Sequence, residues 1–192
     1  MKECLLALGI ALLQLTSFPS RAGKIVTLQP AEDTAYLRVI TERAGKIVSS
    51  LNLPDSAAFL RIRTIVAGQY RALNAVYTDR DSGKIVQQDV DAKIATLHKA
   101  YLEKLATELN TRQIDKVKDG MTYGVVEVTY RAYQQQLPNL TDGQKAYILA
   151  ALIEAREHAM DAESSEKKHA WFGKYKGRIN NYLSSQGISM KK

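Results

Sequence analysis

The stretch Leu140-Thr-Asp-Gly-Gln-Lys-Ala-Tyr-Ile-Leu-Ala-Ala-Leu-Ile-Glu-Ala-Arg-Glu-His-Ala-Met-Asp-Ala162 decides the fold class. Thr141 stands three residues before Gln144. That is the spacing of a capping box, in which the hydroxyl accepts the N3 amide and the N3 side chain reaches back to the N-cap amide. Ile148, Leu149, Leu152, Ala155 and Ala159 then recur at three- and four-residue steps, the period of one helix face. The spacing predicts a helix over 142–162. Leu109-Asn110-Thr111-Arg112-Gln113 carries the same signal and opens a shorter helix ending near Gly120.

The helical period extends outward in both directions. A first helix is expected over 31–51, with Tyr36, Val39, Ile40, Ala44, Ile47 and Leu51 inward. Pro54 disfavours a helical Leu53, and Asp55 or Ser56 can cap the next helix. That second helix is expected over 56–77, on Phe59, Ile62, Val66, Leu73 and Val76. A charged loop over 79–88 leads to a third over 89–109, on Val90, Ile94, Leu97, Tyr101, Leu105 and Leu109. Ser164 or Ser165 caps a last helix to about Ser185, with Phe172, Tyr175, Ile179, Tyr182 and Leu183 inward and Gly187 at its end.

Residues 123–137 fit a helix through Val126, Tyr130, Tyr133 and Leu137, and a strand through Val126, Val128 and Tyr130. A lone strand has nothing to pair with, so helix is preferred. The expectation is an all-α fold, an antiparallel bundle of about five or six helices. Gly45 and Gly68 fall inside helices, which signals either close helix approach or tolerance of a cost of about 1 kcal/mol. Gly-Lys-Ile-Val occurs at Gly23, Gly45 and Gly83, at unequal spacing and without the flanking residues of a phosphate-binding loop, and is read as coincidence.

Composition agrees. The chain has 192 residues, net charge +7, 45% hydrophobic and 24% charged residues, proportions of an ordinary globular protein. Eleven glycines and four prolines are too few for a collagen-like chain, a long disordered linker or a turn-rich β-sandwich.

Residues 1–22 read as a secretory signal peptide. Lys2 precedes an apolar run from Leu5 to Leu13, Pro19 breaks it, and Ser20-Arg21-Ala22 supplies small residues at a cleavage site after Ala22. The run is too short to span a bilayer comfortably, and no later run is longer. Residues 23–30 are expected to be an extended lead-in, and 23–192 a single helical domain. The one cysteine, Cys4, lies in the signal, so the mature chain has neither disulfide nor thiolate metal site. No cofactor and no metal site is expected.

Two stripes carry candidate chemistry. Glu154, Glu157, His158 and Asp161 fall at i, i+3, i+4 and i+7, where carboxylates and an imidazole can act as acid and base. The bland alternative is a solvated polar face. Lys167, Trp171, Lys174, Arg178 and Asn181 also share one helix face, and an indole beside cations suits a sugar ring bearing a carboxylate or sulfate. The alternative there is a tryptophan sealing the edge of the core. Tyrosine supplies ten of the aromatics, and Tyr123, Tyr130 and Tyr133 are expected along one helix face. The cations concentrated between Glu166 and Arg178 point, in an exported protein, to an acidic glycan, headgroup or protein rather than to nucleic acid.

The run from Glu154 through His169 to Leu183, with Lys118-Asp-Gly-Met-Thr-Tyr-Gly124, resembles the exported bacterial family known as domain of unknown function 3826. The resemblance covers most of the mature chain. It implies a Gram-negative exported, periplasmic protein, often encoded near pectin-type polysaccharide degradation systems, and it assigns no catalytic residues. Leu140-Thr141-Asp142-Gly143-Gln144 also resembles the Leu-Thr-x-x-Gln motif of periplasmic helical proteins, some of them stress chaperones. The expected function is therefore a non-catalytic periplasmic binding protein recognising an acidic oligosaccharide or polysaccharide. The alternatives are an enzyme acting on pectin-like oligosaccharides through Glu157 or Glu154 with His158, and a client-binding chaperone.

Overall fold

The computed structural model describes residues 34–188, which lie within one compact unit. The expected signal peptide, its Cys4 and the lead-in lie outside the described residues. Among the described residues there are seven α-helices and no strand: α1 (Thr34–Ser49), α2 (Ser56–Asp81), α3 (Gln87–Ala106), α4 (Thr111–Met121), α5 (Val125–Gln136), α6 (Asp142–Met160) and α7 (Ser165–Ser185). The chain is all-α. Seven helices are one more than the expected five or six, and each lies on a segment that the sequence marks as helical.

The helix starts follow local chemistry. Both capping boxes form, Asn110 with Gln113 and Thr141 with Gln144. Asp55 accepts the Ala58 amide at 2.7 Å and Ser164 accepts the Lys167 amide at 3.2 Å. The α4–α5 junction is different. Tyr123 and Gly124 hold φ of 60° and 66°, so both adopt the left-handed conformation, which costs a non-glycine residue about 1 kcal/mol or more. Tyr123 thus lies in a turn ahead of α5 and not on a helix face with Tyr130 and Tyr133. Its exposed ring stacks on His169 with centroids 5.8 Å apart.

Most expected inward residues are buried, with Val39 the clear exception at 45% exposed. The two glycines suspected of close approach are merely tolerated. A Cβ on Gly68 meets nothing within 4 Å, and one on Gly45 makes only ordinary contact with Arg63 and Phe59. The tight site is Gly120, where a Cβ comes within 2.9 Å of Ile47 as α4 crosses α1.

The core is divided. One apolar cluster takes Ile47, Ile62, Val66, Tyr101, Leu105 and Val117 from α1–α4, together with Met160 at the end of α6. The other joins α5, α6 and α7 through Val126, Tyr133, Leu152, Phe172 and Ile179. Between them runs a polar seam whose long-range bonds link α2, α3 and α4 to α6 or the turn behind it. Arg156, buried on α6, bonds Asp115 at 2.7 Å and Asp119 at 2.8 Å on α4. No buried side-chain nitrogen or oxygen among the described residues lacks a hydrogen-bond partner.

Candidate functional site

The seam opens into a groove of about 680 Å³. α3 contributes His98, α2 Tyr77 and Arg80, α6 Glu157 and His158, and α7 Lys167 and Trp171. Asp161, the residue that ends α6, lies at its floor.

His98 is the centre of the arrangement. Its Nδ1 lies 2.5 Å from an Asp161 carboxylate oxygen, and its Nε2 lies 3.7 Å from Glu157 Oε2. The same Glu157 oxygen accepts Lys118 Nζ at 2.7 Å. The hydrogen bond that His98 donates to Asp161 raises the imidazole pKa above its ordinary value. Burial opposes this, and the negative charges of Asp161 and Glu157 reinforce it. Asp161 therefore fixes the ring orientation and favours its charged form, leaving Nε2 toward Glu157 and the groove.

Asp161 breaks a local rule. A carboxylate at a helix C-terminus faces the negative end of the helix dipole. Here it is also 5% exposed. Contacts from distant elements hold it there. Gln69 donates to its second oxygen at 3.3 Å, and Tyr77 donates to its backbone carbonyl at 2.8 Å. Burial, with Glu163 and Asp161 nearby, pushes the Tyr77 hydroxyl up to about 12, so it stays a donor at any physiological pH. Arg80 lies over the Tyr77 ring at 5.0 Å and pairs with Glu163 at 2.6 Å.

Trp171 forms one wall. Its indole is half-buried and stacks on His158, with centroids 4.4 Å apart and planes 15° from parallel. Lys174 Nζ lies over the indole at 4.9 Å. Lys167 is exposed at the rim.

The two sequence stripes are thus cut differently from their spacing. Glu157 and Asp161 turn toward α3, and Glu154 and His158 turn toward α7. The four residues are not one solvated face, because α6 lies between its neighbours. Glu154 accepts the Tyr175 hydroxyl and an Arg178 N–H, both at 2.8 Å, and these bonds hold its pKa below the usual carboxylate range. Of the cationic stripe, Lys167 and Trp171 reach the groove and Lys174 covers the indole. Arg178 is committed to Glu154 and to the Tyr175 ring at 5.0 Å, and exposed Asn181 does not line the groove. Spacing alone missed His98, Gln69, Tyr77 and Lys118. The one local signal was an acidic residue at the end of a helix. Among the described residues no group of three His, Cys, Asp or Glu side chains is placed to hold a metal ion.

The family described as "Protein of unknown function (DUF3826)" matches residues 37–93 and 84–192. The chain belongs to the DUF3826 family. The match runs through all seven helices and includes every residue of the groove. No curated protein matches the chain.

Proposed function

We propose that the groove is a carbohydrate site in which His98 works as a general acid–base, making the chain an exported enzyme that acts on an oligosaccharide. The observation that carries this reading is the His98–Asp161 pair on the floor of a concave site. Binding a glycan calls for an aromatic wall and hydroxyl partners. It does not call for an imidazole with one nitrogen clamped by a buried carboxylate. Trp171 and Ile94 suit the apolar face of a sugar ring, and Glu157, Asp91 and Lys167 suit its hydroxyls.

His98 and Glu157, 3.7 Å apart, are too close to flank a glycosidic bond as a carboxylate pair does across about 5–9.5 Å. They act as one proton-transfer centre. A clamped imidazole with one nitrogen open to the groove suits activation of water as the nucleophile. Neutral His98 takes a proton from water through Nε2 as the oxygen attacks the acyl carbon of a sugar ester, giving a tetrahedral intermediate. The same proton then passes to the leaving oxygen.

The test offers the mature chain neutral, acidic and acetylated oligosaccharides and analyses products by mass spectrometry. Wild type releases product, His98→Gln lowers kcat by about 10²–10⁴-fold with little change in KM, and Trp171→Ala acts mainly on KM. Full turnover by His98→Gln refutes the acid–base role. Binding without product on any substrate favours the second reading, non-catalytic recognition of an acidic glycan. Lys167 and Lys174, two cations beside the Trp171 indole, support that one.

The proposal includes export to the periplasm of a Gram-negative bacterium after cleavage behind Ala22, which intact mass of the exported chain would check. An antiparallel bundle is supported by short turns joining helices that pack as sequence neighbours, α1 with α2, α2 with α3, α5 with α6 and α6 with α7. A client-binding chaperone calls for a large exposed apolar or basic concavity. The exposed large apolar residues Val39, Leu60, Val86, Tyr123, Val128 and Ile153 are instead scattered over separate elements.

A further inference from the structure

A second, smaller cavity of about 140 Å³ lies beyond Tyr77 and Glu163, which line both spaces. It is bounded by α1, α2, the turn after α6 and the start of α7. Two cations line it, Arg43 from α1 and Lys168 from α7. Lys168 is 4% exposed. Its Nζ donates to the Ala159 and Met160 carbonyls at 3.0 and 2.8 Å, in the last turn of α6. An ammonium has three donors, so one remains. Arg43 lies over the Tyr70 ring at 5.5 Å.

Neither cation has a carboxylate partner among the described residues. Glu163 also lines the cavity, but Arg80 holds it at 2.6 Å. Asp161 acts on Lys168 from a distance, and its own oxygens are bonded to His98 and Gln69. Among the described lining residues two cations, Arg43 and Lys168, thus face one carboxylate, Glu163, which is itself bonded to Arg80. Ser164 and Ser165 bring the positive end of the 21-residue α7 to the same wall.

We propose that this cavity binds a small oxyanion, a phosphate, sulfate or carboxylate group, held between Lys168 Nζ and the Arg43 guanidinium. A cavity of this size takes one such group and little more. The site is independent of the chemistry at His98, so either can fail without the other. Burial, together with the positive charge of Arg43, pulls the Lys168 pKa down to about 8, with Asp161 opposing. A bound anion reverses that pull, so binding takes up protons near pH 8. Other groups facing Lys168 are the Tyr70 and Tyr77 hydroxyls of α2. Burial keeps both protonated up to about pH 12, so Lys168 sets the proton linkage.

The experiment measures the melting temperature of the mature chain in phosphate, sulfate or acetate at ionic strength fixed with chloride, and in glucuronate against glucose. At pH 7, 10 mM of a preferred anion is expected to raise Tm by about 2–4 °C. The gain shrinks at pH 9.5, where Lys168 has lost its charge, and disappears in Arg43→Gln. Lys168→Met removes it too, and Arg43→Gln keeps the test valid if that variant folds poorly. A response to glucuronate but not glucose or inorganic anions identifies the group as a sugar acid. A response to phosphate or sulfate identifies a free or esterified oxyanion. No shift with any anion, or a shift undiminished in Arg43→Gln, overturns the proposal.

Discussion

Replacing Asp161 by Asn removes one charge and leaves the shape of the side chain intact. The amide still offers an oxygen to Gln69, so the measured loss is chiefly the charge-assisted bond to His98, 2.5 Å in the wild type. Such bonds contribute about 1.5–3 kcal/mol. The Asp161 side chain is 7% exposed and that of His98 25%, so solvent screens the pair only in part. Removing a carboxylate from a helix C-terminus returns about 0.3–1 kcal/mol. The net cost is therefore about 1–2 kcal/mol when His98 is charged.

The sign of the pH dependence comes from the imidazole. Its pKa is raised in the folded chain and close to 6.5 in the unfolded one. The pair's contribution is fully present below about pH 6.5 and is lost as pH rises through the folded pKa. Urea denaturation of wild type, Asp161→Asn, His98→Gln and the double variant closes a cycle at pH 6 and again at pH 9. The coupling expected is about 1–2 kcal/mol at pH 6 and smaller at pH 9, where a neutral imidazole keeps only its Nδ1–H bond to the carboxylate. Equal coupling at both values, or none at pH 6, would refute the reasoning that Asp161 holds a charged imidazole.

Four further outcomes test the scaffold and the buried charge. Gly120→Ala gains about 1 kcal/mol of helix propensity and loses about 1–3 to the Ile47 clash, so it destabilises in urea melts. In an Ile47→Ala background the same change is expected to be neutral or stabilising. Phe172→Ala empties a site 1% exposed and is expected to cost about 3–5 kcal/mol, with mean helicity retained in the folded fraction. Arg156→Met strands Asp115 and Asp119, which are 48% and 40% exposed and so partly hydrated, and is expected to cost about 2–3 kcal/mol, less at 1 M salt. Lys168 has a depressed folded pKa of about 8, so the penalty on its charge is present below pH 8 and fades toward 10.5. Over that interval wild type is expected to gain about 3 kcal/mol relative to Lys168→Met in paired melts, and a flat difference would contradict the buried ammonium.

The helices were legible because their signals are local. Capping boxes at Asn110 and Thr141 span three residues, and the apolar stripes of α2, α6 and α7 repeat every three or four. Those signals sufficed for the all-α class and for most buried positions. They failed at Tyr123, where two consecutive left-handed residues start a turn that no apolar period marks. They also failed to divide the stripe on α6, since spacing gives a shared face but not which neighbour each side chain meets. His98 and Asp161 are 63 residues apart, Gln69 and Asp161 are 92, and Lys118 and Glu157 are 39. Lys168 reads as one more surface cation until α1 and α2 close over it. Local hydrogen bonding and hydrophobic period set the sequence-determined part. The charged seam, the groove and the anion cavity were decided by tertiary packing alone, because burial and the pairing of distant charges exist only once the two apolar clusters have met.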